Sequence, residues 1–183
     1  MTFNINAIRA GLRQGGARGT LFQAQIFNPV NNLASLDMPI KIRAASLPES
    51  SLGTIPVYYF GRAIKFAGDR TFAPWVVTII NDEDFLIRNA LEEWSNAINS
   101  LEGNIRKLSG PQASLYKSQA QVVQFGKTGT ILREVTFKGI WPSMITPIQL
   151  DWQATDQIEE YQVQFQYDTF EVTGGNTGSY NVN

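Results

Sequence analysis

The sequence predicts a mainly β fold: an antiparallel β-sandwich or a rolled β-barrel, with one α-helix packed against it and a long hairpin arm. Three observations predict it. Apolar residues fall into short runs of strand length, clusters of Gly, Pro and Asn separate those runs, and a single proline-free segment carries apolar residues at helical spacing.

The elements follow in chain order. Residues 4–12 have a short helix pattern, with Ile5, Ile8 and Leu12 on one stripe, and Gly11, Gly15, Gly16 and Gly19 then break it. Leu21 to Phe27 reads as a strand with Phe22, Ala24 and Ile26 on one side, followed by a turn-prone stretch of Asn28, Pro29, Asn31 and Asn32. A second strand is expected from Pro39 to Ala45, with Ile40 and Ile42 sharing a face.

The stretch from Ala44 to Gly68 is punctuated by Pro48, Gly53, Pro56 and Gly61, and it holds the run Val57, Tyr58, Tyr59, Phe60. Proline cannot donate to a ladder, so this reads as a hairpin arm rather than a core strand. Exposed aromatics on such an arm need cover, either from the chain's own core or from another chain. The intersubunit reading is adopted, with Leu47, Pro48, Leu52, Ile55, Pro56, Val57, Tyr58, Tyr59, Phe60 and Phe66 as the contact residues.

Phe72 to Ile80 is the clearest strand, with Trp75 and Val77 facing the core. Asn81 is the expected N-cap of a helix from Asp82 to Asn99, with Asp82, Glu83 and Asp84 in its first turn, where carboxylates suit the helix dipole. Leu86, Leu91, Trp94, Ile98 and Leu101 form its apolar stripe, Leu91 and Trp94 being core positions. Strands are then expected over Ala120–Phe125 and Ile131–Phe137, joined by a hairpin loop at Gly126–Gly129. In the last strand Tyr161, Val163, Phe165 and Tyr167 alternate with Gln162, Gln164, Gln166 and Asp168, which puts Val163 and Phe165 in the core and the polar row on a wet face. The expected organisation is a flexible N-terminal arm at 1–20, one domain at 21–171, and a Gly-rich tail at 172–183.

Composition narrows the function. The chain has no Cys and no His, which removes thiolate chemistry, disulfides, and the commonest general base and transition-metal ligand. The expectation is no catalytic residue, no metal site and no cofactor. The 17% of charged residues is low for a free surface and leans towards assembly. Arg9, Arg13 and Arg18 stand near the start without an acid among them, whereas Asp151, Asp156, Glu159, Glu160, Asp168 and Glu171 follow Ile148 without a Lys or Arg. Opposite signs at the two ends suit contacts between copies; two solvated segments are the plain alternative. A net charge of -1 speaks against gripping nucleic-acid phosphates. No apolar run is long enough for a membrane span, and the start lacks the apolar stretch of a signal peptide.

Two motifs carry no chemistry. The GKTG at Gly126 lacks the upstream glycine of a phosphate loop, since Gln121 occupies that place, and it lies between strands. Asp82, Glu83 and Asp84, like Asp156, Glu159 and Glu160, depart from the spacing of a calcium loop. Trp141 and Trp152 fall near strand ends, where they would seal the barrel or an interface.

GDRTFAPWVVTIIND from Gly68 with the helix through Trp94, KGIWPSMITPIQLDW from Lys138, and IEEYQVQFQYDTFE from Ile158 together resemble the tail tube proteins of T4-like contractile phages. LFQAQI at Leu21 and the stretch from Lys41 to Arg70 extend the likeness over residues 18–171. It departs at the Gly-rich start, at the loop from Asn28 to Asp37, and in the C-terminal extension. The resemblance implies hexameric rings whose sheets join between subunits, stacked helically into a hollow tube. It further implies a surrounding sheath protein, baseplate and terminator proteins at the ends, a tape measure protein in the lumen before ejection, and phage DNA passing through without specific binding. It places the protein in the virion, assembled in the host cytoplasm. Gln162, Gln164, Gln166 and Asp168 become candidates for the lumen face. The tube of a secretion or injection machine is the nearest alternative, and a carbohydrate-binding β-sandwich module the alternative of another class.

Overall fold

The computed structural model describes residues 5–12, 15–106 and 113–174. Helix α1 spans Ile5–Gly11, and strand β1 spans Phe22–Ile26. A 3-10 turn at Leu33–Leu36 leads into the single-turn helix α2, Met38–Lys41, and strand β2, Ile42–Ala45. Strands β3, Ser50–Tyr59, and β4, Arg62–Phe72, make a hairpin; β5 runs Trp75–Ile80 and helix α3 Leu86–Ile98. Strands β6, Ser118–Phe125, β7, Ile131–Ile145, β8, Glu160–Gln166, and β9, Thr169–Thr173, complete the chain.

All strand pairs are antiparallel. The order is β1-β6-β7-β8-β5-β2, with β9 also on β7, while β3 and β4 pair only with each other. Strand β7 belongs to two layers. Its first part pairs with β9 through Lys138 and with β6 through Ile140; its last part, from Trp141, pairs with β8. The result is a sandwich-like roll rather than a closed barrel.

Gly139 is the corner. It sits at φ +69°, and a Cβ there would collide with the Asp168 carboxylate. Only glycine meets both conditions without strain. Gly139→Ala is expected to cost about 1–3 kcal/mol of stability, read as a lower urea midpoint.

The two layers face each other across one apolar core. Trp75 of β5 stacks on Phe137 of β7 at 4.5 Å between ring centroids. Val77, Val163 and Phe165 are buried with them, as are Leu91 and Trp94 of α3. Helix α3 covers the open side, with Trp94 meeting Phe165 at 6.4 Å.

Several sequence expectations are corrected. Pro39 lies in the first turn of α2 instead of in a strand, as its fixed φ suits that place. Ile40 therefore points to solvent, and only Ile42 is buried. Helix α3 begins after the acidic triplet, because Phe85 takes a left-handed φ of 53° that interrupts any earlier turn. The Asp84 carboxylate accepts from the Leu86 N–H at 3.0 Å, and Asn81 is tied to Glu159 rather than capping the helix. Strand β7 runs on through Pro142, which a register shift next to it accommodates. Strand β9 was not expected; it is a separate element after a turn at Tyr167 and Asp168. The C-terminal tail beyond 174 and Arg13 lie outside the described residues.

Candidate assembly surfaces

The β3–β4 hairpin stands clear of the core. Every residue from Ser50 to Tyr59 is exposed. Cross-strand register places Ile55 opposite Phe66 and Val57 opposite Ile64, so these four, with Tyr59, share one face. The other face carries Thr54, Pro56, Lys65 and Tyr58. A two-stranded ribbon with one apolar face and nothing packed on it is marginally stable by itself.

The arm's tip is a two-residue turn, Phe60 at φ 45° and Gly61 at φ 78°. Asn-Gly is the common sequence for that geometry, and a phenylalanine there is strained. Phe60 is 90% exposed and meets Tyr59 edge-on at 4.5 Å. Nearer the body, Gly68 lies against the Gly53 backbone at the hairpin's register shift, where a Cβ would come within 3.1 Å of it. Leu47 and Pro48 precede the hairpin, so the arm proper runs from Ser50 to Phe72, starting within the expected stretch from Ala44 to Gly68 and ending beyond it.

The polar row on β8 is present as Gln162, Gln164 and Gln166, on the face away from the core. Its neighbours are Thr78 and Val76 on β5 and Met144 and Trp141 on β7. Asp168 does not continue that row. It follows the end of β8, at the Gly139 corner, where Lys117 binds its carboxylate at 2.7 Å. The other layer has a similar outer face, which sequence reasoning missed: Gln23 and Gln25 of β1, with Gln121 of β6 donating to Glu134 at 2.6 Å. The alternation of β1 and β6 carried that signal.

Electrostatics on these surfaces is local. Lys41 bridges Asp37 and Asp82, and its hydrogen bond to Asp82 at 2.8 Å raises the ammonium pKa and lowers that of the carboxylate. Arg43 pairs with Glu160 at the start of β8. Burial pushes the Tyr161 hydroxyl well above the ordinary phenol range, and the Arg88 guanidinium lies 5.1 Å from its ring. Among the described residues, no group of three or more metal-ligating side chains is placed to hold an ion. No described helix is long and apolar enough to cross a membrane.

The loop between β7 and β8 is the remaining surface. Trp152 is fully exposed and Leu150 is 81% exposed, so Trp152 seals nothing within its own chain. Trp141, by contrast, is half-buried and meets Tyr116 edge-on at 6.5 Å.

A roll of antiparallel sheet with a half-exposed apolar arm and polar outer faces defines a structural assembly subunit as a class. A sequence model described as phage tail tube protein matches residues 1–173. The chain belongs to the phage tail tube protein family. It is 33% identical over 156 residues to tail tube protein gp19 of Enterobacteria phage T4, covering 85% of this chain and 91% of that one. The fold also resembles a chain of the anti-feeding prophage tube-terminating cap, with a TM-score of 0.61 and 17% identity over 90% of this chain and 95% of that one. A chain of an extracellular contractile injection system's sheath-tube complex in the extended state gives a TM-score of 0.56 at 15% identity, covering 94% and 99%.

Proposed function

We propose that copies of this chain close into six-membered rings and stack into the hollow tail tube of a contractile phage. The observation that carries the reading is the β3–β4 arm, whose apolar face is left about half exposed by the described residues of the subunit. Joining chains covers that face and also removes the free sheet edges at β1 and β2. A sheath surrounds the tube, baseplate and terminator proteins bound its ends, and a tape measure protein occupies the channel until ejection. The protein is thus a virion component that works mechanically and makes or breaks no bond. Negative-stain microscopy of purified subunits, with a baseplate complex as nucleator, is expected to show rings or tubes. A species that stays monomeric at high concentration under those conditions overturns the reading.

The Gln162, Gln164 and Gln166 row is our choice for the channel wall, because uncharged amides let a polyanion slide where cations hold phosphates. Gln164→Arg is expected to leave assembly intact and to slow genome ejection, with added salt relieving part of the delay. A map of the tube with Gln164 facing the sheath ends this assignment.

The injection-system tube is a second reading, favoured by the fold shared with the sheath-tube complex. Neighbouring capsid and terminase genes support the phage; effector genes support the other.

A further inference from the structure

We infer that α1 of one copy docks into the acidic groove beneath the β7–β8 loop of a neighbouring copy. This rests on the tube reading and names a contact within it. Helix α1 presents Ile5, Ile8 and Leu12 on one stripe, all more than half exposed, so this stripe is left open by the described residues of its own chain. Arg9 flanks the stripe in its last turn, and Arg18 follows in the chain; both are exposed.

The groove has the complementary character. It encloses about 630 Å³ and is lined by Pro147, Ile148, Ala154 and Ile158, with Asp156 and Glu159 among its acids. Leu150 and Trp152 stand exposed on the same loop, beside Asp151. No Lys or Arg occurs in the sequence after Lys138, so the acids of this loop find no cation nearby in sequence. Arg43 of β2 also lines the groove and is taken up by Glu160, while Glu159 accepts from the Asn81 amide at 2.9 Å, so Asp156 is the acid of the lining with no ion pair or side-chain hydrogen bond among the described residues.

Neither surface is satisfied by the other within one subunit, since both are exposed there. A second copy supplies an apolar stripe with a basic flank to an apolar floor with an acidic rim, and every subunit carries both halves. Such a contact is heterologous: it links copies head to tail and propagates instead of closing on a pair. Opposite charges set its orientation and speed encounter, while the aliphatic stripe supplies the desolvated area. The arm's apolar face is the competing occupant; it is a flat ribbon, better matched to a flat sheet than to a groove.

The absence of cysteine makes the contact directly testable. Chains carrying Ala10→Cys and chains carrying Gln153→Cys are mixed, assembled into tubes, and treated with a short bis-maleimide. A heterodimer joining the two variants is expected in tubes and absent from dilute subunits; tubes without that product, or with residue 153 linked instead to a Thr54→Cys arm, overturn the inference. Arg9→Glu is expected to raise the concentration needed for tube growth about tenfold, and Asp151→Arg in the same chain to recover most of it. No recovery counts against the pairing. Failure of the unmodified chain to form rings or tubes is a different result, which defeats the tube reading itself.

Discussion

Tubes are expected to be lost, and subunits to remain folded, when Ile55→Ser, Val57→Ser and Phe66→Ser are combined on the arm. All three side chains lie on the apolar face of the hairpin and are about half exposed in the subunit. They contribute little to the subunit's own core, so its unfolding free energy, read from urea titration, is expected to change by under about 0.5 kcal/mol. In the tube their remaining exposed area leaves water. At about 25 cal/mol per Å² this amounts to roughly 1 kcal/mol per side chain, or about a hundredfold in the association constant of each contact once the three are summed. A ring repeats that contact at each subunit, and the losses compound. Hydrogen exchange gives a second measure: amides from Ser50 to Phe72 exchange fast in isolated subunits, since a lone ribbon opens readily, and slowly in tubes. Equal protection in both states places the arm's cover within the subunit and defeats the prediction.

The sequence carried the parts of this fold that depend on local pattern. Strict alternation from Tyr161 to Tyr167 and in Trp75–Ile80 marks strands with one buried face, and both are central strands of the roll. The apolar stripe of α3 was legible at Leu91 and Trp94 but not at Leu101, which lies beyond the helix and is exposed, and the hairpin arm was legible although β3 runs through Pro56 without a break. What was not legible depends on partners distant in the chain. Gly139 and Pro142 look like the end of a strand, yet β7 continues because a glycine corner and a bulge let it leave one layer for the other. Asp168 keeps the alternation of β8 in sequence but leaves it in space, drawn to Lys117 at that corner. Asn28 looks like a surface turn residue and is buried; its amide donates to the Ala90 carbonyl at 2.9 Å while its oxygen accepts from Val30. The glutamine row was legible as a wet face. Its side of the tube was not, because each layer of the roll has such a face.

Trp94→Ala is expected to be the most damaging single substitution in the core. The side chain is fully buried between α3 and the sheet, meets Phe165 at 6.4 Å, and donates its indole N–H to the Tyr116 carbonyl at 2.9 Å. Truncation removes the largest apolar surface on α3 and leaves a cavity that the two sheet layers, joined through β7, cannot collapse to fill. It also strips the Tyr116 carbonyl of a partner. Large-to-small changes of this kind cost about 3–5 kcal/mol, set against a total stability of about 5–15 kcal/mol for a domain. The urea midpoint is expected to fall accordingly with little change in slope. Trp94→Phe, which keeps most of the volume and loses the N–H, should cost less. Trp152→Ala is the control: that side chain is wholly exposed in the subunit, so the same chemical change there should leave the unfolding free energy within about 0.5 kcal/mol. Tube formation binds only the folded subunit and therefore returns part of the lost stability, so the deficit of Trp94→Ala should be largest in dilute solution and shrink as subunits assemble. A cost below about 1 kcal/mol in the isolated subunit would mean that α3 is not packed on the sheet in solution, and that the roll is closed by something other than this helix.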